Sequence, residues 1–139
     1  MVEAANQNKG DIIKLTIPAM AEYVSVVRLT SSAIASRIGF DIEEIEDIKV
    51  AIAEACTMII KNGEKQNIDI NFEILADILK ISVQAKYFVC QERDNKVSDV
   101  YDNKSLSILI IESLMDKVEC ESCDGIVCLK MMKKLRVDV

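Results

Sequence analysis

Histidine and tryptophan are absent from these 139 residues, and proline occurs once, at Pro18. Lacking histidine, the chain lacks both the commonest general base near neutral pH and the commonest side-chain metal ligand. A basic surplus is missing as well: 17 lysines and arginines face 23 aspartates and glutamates, a net charge of -6. Nucleic-acid binding through phosphates is thereby excluded, because no basic stripe is available to displace counterions. Attraction to an anionic membrane surface fails for the same reason. A basic protein partner stays compatible with this charge. No apolar run approaches the roughly 18 residues of a membrane span, and the start "MVEAANQNKGD" has no secretory pattern, so a cytoplasmic protein is expected. The five cysteines form no regular framework, which suits reduced thiols.

What is present is a good core. Half the residues are hydrophobic and 29% are charged, the composition of a folded globular chain. Residues 1–139 read as one domain, the first ten of them flexible, with no repeat or linker. "DIIKLTIP" alternates, placing Ile13, Leu15 and Ile17 on one side of a half-buried strand. Beyond Pro18, Met20, Val24, Val27, Ser31, Ile34 and Ile38 recur at helical spacing, and Gly39 supplies a stop. The outer ridge of that helix carries Glu22, Ser25, Arg28 and Ser32. Asp41 with Glu44 forms a capping signature for a second helix, whose core stripe is Ile45, Ile48, Ile52, Ala55 and Ile59. Its end is expected at "KNG", with Gly63 past the last turn.

The period then changes to two. Ile68, Ile70, Phe72 and Ile74 form one strand, and Leu79, Ile81, Val83 and Ala85 the next, with a turn near Asp77. "SLSILIIESLMD" is apolar on nearly every side and predicts a well-buried third helix. "KVECESC-DG-IVCLKMM" predicts a hairpin, because Asp-Gly suits a two-residue turn. The order β-α-α-β-β-α-β-β, with helices segregated from antiparallel strands, implies an α+β fold: a two-layer α/β sandwich.

Two features invite a chemical reading. "CESC" has the Cys-x-x-Cys spacing of metal or redox sites, but residues three apart on a strand face opposite ways. Cys120 would join the inner face with Val118, Val127 and Leu129, and Cys123 and Cys128 the other, so no metal site is expected. On helix two, Asp47, Ala51, Glu54 and Met58 form a ridge at the edge of the core stripe. A carboxylate there suits a general base, although a solvated or paired glutamate has the same spacing.

"IPAMAEYVSVVRLTSSAIASRIGFDIEEIEDIKVAIAEACT" resembles the N-terminal half of bacterial anti-sigma factor serine kinases, regulators built on the ATPase fold of histidine kinases and Hsp90-type chaperones. "SLMDKVE" and the last hairpin extend the resemblance from about Leu15 to Leu135. It implies three nucleotide motifs. The first, Glu-x-x-x-Asn, pairs a base with a magnesium ligand; here Glu54 stands as the base and Met58 replaces the asparagine. The second, Asp-x-Gly, anchors adenine; here it reads Ala85-Lys86-Tyr87. The third is a glycine turn at the phosphates, with Ser105 and Ser107 where glycines are expected, and the lid segment before it is short.

Loss of all three predicts no bound cofactor and an inactive Glu54. The resemblance then implies a homodimeric regulator that binds a sigma factor, an anti-anti-sigma protein or both, with Glu22, Ser25 and Arg28 as contacts. The alternatives are a working serine kinase that uses Mg-ATP on an anti-anti-sigma partner, and a purely structural or dimerisation role.

Overall fold

The computed structural model describes residues 10–62, 67–86, 106–123 and 125–136. Strand β1 (Asp11–Pro18) leads through a 3-10 turn (Ala21–Tyr23) into helix α1 (Val24–Ile38) and helix α2 (Ile42–Asn62). Strands β2 (Asn67–Leu75) and β3 (Ile78–Lys86) precede helix α3 (Leu106–Leu114), and β4 (Lys117–Cys123) and β5 (Ile126–Lys134) follow it. The five strands form one sheet in the order β1-β2-β3-β5-β4, with every neighbouring pair antiparallel. Helices on one face of this sheet make the expected two-layer α+β sandwich.

Local chemistry explains three of the boundaries. The Asp41 amide donates to Glu44 Oε1 at 3.0 Å, and the Glu44 amide donates to Asp41 Oδ1 at 2.8 Å. This reciprocal box satisfies amides that the first turn of α2 leaves open. Gly39 ends α1 at φ 116°, where a side chain would be strained, and its amide donates to Ala35 O at 3.2 Å. Cys123 pairs with Ile126, so the β4–β5 connection has two residues, and Gly125 takes φ 78° as that turn requires. Gly63 and residues 1–9 of the ten expected to be flexible lie outside the described residues.

The sheet's inner face is built from rows that cross the strands. Ile17, Ile68, Ala85 and Val127 form one row, and Ile70, Val83 and Leu129 are central to the next. All of these are buried, together with Ile48, Ile52, Ala55 and Ile59 from α2. Ser31 is buried within α1 but satisfied, because its hydroxyl donates to Val27 O at 2.7 Å.

Three expectations need correction. Strand β1 alternates as predicted, yet only Ile17 on its inner side is buried, and Ile13 stays 39% exposed. As the sheet's edge strand it lacks a second neighbour, and the helix layer does not cover its first half. Helix α3 buries Ile108 and Ile111 but leaves Leu106 73% and Leu109 50% exposed. It packs on α2 and touches β4, so only one side of its apolar surface is covered. Met20 is exposed, because α1 begins at Val24 and the preceding turn leads the chain away from the helical stripe.

Candidate functional site

Helix α2 carries Glu54 toward the start of α3. Ser107, in the first turn of α3, donates its hydroxyl to Glu54 Oε1 at 2.8 Å. Both side chains are half-buried. The two residues are 53 positions apart, and the contact forms because α3 lies against α2 with Ile108 and Ile111 turned into the core. A hydrogen bond to an ionised carboxylate is among the stronger polar contacts available to a protein. Glu54 is therefore held by a group of its own chain.

One turn along α2, Met58 is 4% exposed and belongs to the hydrophobic core. The ridge it shares with Glu54 is more deeply set than an edge, since Ala51 is fully buried as well. Spacing along one helix places that ridge beside the core stripe; α3 meets it at Glu54 through Ser107. Ala85 ends the inner row of β3 at 5% exposure, and a methyl group there accepts no hydrogen bond. Tyr87 and Ser105 lie outside the described residues.

Each position can be tested against the group the resemblance implies. A magnesium ion takes hard oxygen ligands in near-octahedral geometry, and the buried Met58 thioether supplies none. The exocyclic amine of adenine needs an acceptor, and Ala85 offers only carbon from its side chain. The hydroxyl of Ser107 already fills a lone pair of Glu54. Met58 and Ala85 thus do not supply the side-chain contacts to Mg-ATP that the first two motifs provide.

Of the cysteines whose side chains are described, Cys56 and Cys128 are buried and Cys120 is exposed. Cys120 pairs with Leu129 and Cys128 with Glu121, which puts them on opposite faces of the hairpin. Cys120 is exposed all the same, because β4 is an edge strand that the helices do not cover. Cys56 is buried in α2, and burial pushes its thiol from 9.0 up to about 12, far from a reactive thiolate. Cys128 shifts the same way, through burial against the opposing pull of Lys130.

Glu22, Ser25 and Arg28 are all exposed and follow one another along the 3-10 turn and the start of α1. They form an exposed surface rather than a cleft.

Residues 17–133 match the histidine kinase-like ATPase domain family. A serine-protein kinase RsbW of Staphylococcus aureus (strain MSSA476) is 37% identical over 145 residues, covering 94% of this chain and 91% of that protein. The chain belongs to the anti-sigma factor serine kinase family. Solved structures agree on the fold of this family member. The RsbU and RsbW domains of Rv1364c from Mycobacterium tuberculosis superpose with a TM-score of 0.69 at 18% identity, over 90% of this chain and 32% of that one. The catalytic domain of histidine kinase ThkA gives a TM-score of 0.52 at 15% identity, over 89% and 95%. Among the described residues, no helix is long and apolar enough to cross a membrane.

What the sequence could not reveal is the Ser107–Glu54 bond. The resemblance marked both residues, one as a retained acid and one as a missing glycine. Only the packing of α3 on α2 joins them.

Proposed function

We propose that this member of the anti-sigma factor serine kinase family regulates transcription by binding protein partners, without binding Mg-ATP and without kinase activity. The observation that carries this reading is the burial of Met58 at 4% exposure, one turn beyond a Glu54 engaged by Ser107. Restoring an oxygen ligand there would mean opening the core, and a buried thioether offers Mg²⁺ no hard oxygen. The partner is a sigma factor, an anti-anti-sigma protein or both, met in the cytoplasm by a homodimer of this chain. Glu22, Ser25 and Arg28 supply contacts from an exposed face that carries both signs of charge. Isothermal titration with Mg-ATP tests the reading: no heat of binding is expected up to millimolar nucleotide. Saturable binding in the micromolar range would sink it.

A second reading has its own support. The relative at 37% identity is named a serine-protein kinase, and Glu54 is retained and only half-buried. Under that reading Glu54 is the base for phosphorylating an anti-anti-sigma partner, and the Ser107 hydroxyl must leave it first. Transfer of labelled phosphate to a co-purified partner, lost in Glu54→Gln, would favour it. Co-purification from the native cell addresses the partner itself, and Arg28→Glu is expected to reduce recovery of a transcription protein.

A further inference from the structure

The sheet's second face, turned away from the helices, is not flat. Among the rows of side chains that cross its five strands, two neighbouring ones flank an open groove of about 640 Å³, and a third row beside them carries Asp69 and Glu121. One row includes Glu73, Lys80 and Lys117, and the other includes Lys14, Lys130 and Glu119. Four lysines thus face two glutamates, in a chain whose net charge is -6. Lys117 pairs with Glu119 at 3.4 Å, and Lys130 pairs with Glu121 at 3.6 Å. Lys14 and Lys80 make no ion pair within 4 Å among the described residues, although Glu73 stands directly across from Lys80 on the neighbouring strand, so their ammonium groups are the ones left open to a ligand.

We propose that this groove binds an acidic peptide segment in extended conformation. The dimensions support the choice. Five strands at about 4.8 Å spacing give a groove about 19 Å long, which an extended chain of about six residues fills at 3.3 Å per residue. A volume of 640 Å³ is of the size that such a short segment occupies. Lys14 on β1 and Lys80 on β3 stand two strand spacings apart, about 10 Å along the groove, on opposite walls. In an extended peptide, residues i and i+3 are about 10 Å apart and point to opposite sides. The site therefore selects acids three positions apart over acids two apart, which would both face one wall. Asn71 and Ser82, in the same wall as Lys14 and Lys130, add neutral donors. The site is separate from Glu54 and from the α1 surface, and it holds whether or not the chain binds nucleotide.

The test is an NMR titration of the full chain with two hexapeptides of equal composition, Ser-Glu-Val-Thr-Glu-Ser and Ser-Glu-Val-Glu-Thr-Ser. Saturable amide shifts confined to the sheet are expected, with the first peptide binding about fivefold more tightly because it reaches both free lysines. The double change Lys14→Glu with Lys80→Glu removes two exposed charges, leaves the core untouched, and is expected to weaken binding about tenfold. Arg37→Glu with Lys61→Glu alters net charge equally on the helix layer and is expected to leave affinity within about twofold. Equal affinity for the two peptides, absence of saturable shifts, or equal losses in both double variants would overturn the proposal. So would sedimentation showing that Lys14→Glu with Lys80→Glu dissociates a homodimer, since the groove would then belong to a second copy of this chain.

Discussion

Changing Met58 to asparagine rebuilds the first lost motif on paper and separates two questions, folding and nucleotide binding. Met58 is 4% exposed and surrounded by the core cluster of α2, α3 and the sheet. Removing a buried methionine side chain costs about 2 kcal/mol in transfer alone, and more if a cavity persists. The asparagine amide that replaces it brings two donors and an acceptor into that site, which adds about 1–3 kcal/mol if they stay unpaired. The sum, roughly 3–5 kcal/mol, is a large part of the about 5–15 kcal/mol that holds a domain together. In urea, with a slope of about 2 kcal/mol per molar, the midpoint should fall by about 2 M. Isothermal titration of the folded variant with Mg-ATP should show no binding, because Ala85 still offers adenine no acceptor. Two results would refute the reasoning. A loss of less than about 1 kcal/mol would mean that the amide is hydrated and the site is not dry. Micromolar Mg-ATP binding by the single variant would mean that the other two motifs matter little.

The Ser107–Glu54 bond predicts coupling between positions 53 residues apart. Ser107→Ala should cost about 1 kcal/mol, or about 3 °C in Tm, after allowance for the half-exposed site. A double-mutant cycle with Glu54→Ala should return a coupling of about 1 kcal/mol, and a value below about 0.3 would show that the bond does not form in solution. Cys56 predicts a pH effect of definite sign. Its folded thiol is pushed up to about 12 from an ordinary 9.0, so the unfolded chain loses this proton first. Stability is then fully present below pH 9 and is lost as pH rises toward 12, by up to about 1.4 kcal/mol per unit. Denaturation curves of the native chain and Cys56→Ala should therefore converge above pH 9, and parallel curves would disprove the burial.

Alternation in β2 and β3 was legible because both strands lie inside the sheet, where every second residue meets the helix layer. The same alternation in β1 misled on burial, since an edge strand keeps the pattern and loses the cover. The capping box of Asp41 and Glu44 was readable for a related reason: its hydrogen bonds span three residues and need nothing from the rest of the chain. Helix α3 shows the converse. Its composition is apolar on all sides, but how many sides are covered depends on which elements stand around it, and among the described residues its main contacts are to α2 and β4. The lysines of the sheet's open face were each visible as outward residues, while their convergence on one groove required the strand order β1-β2-β3-β5-β4.

By itself the sequence determined the family, the element order and the chemical identity of the altered motif positions, because these rest on residue type and short-range period. The tertiary structure alone decided what those residues now do. Packing of α3 on α2 ties Glu54 to Ser107, and tertiary packing leaves Met58 in the core, outcomes that depend on segments far apart in the chain and that no local pattern specifies.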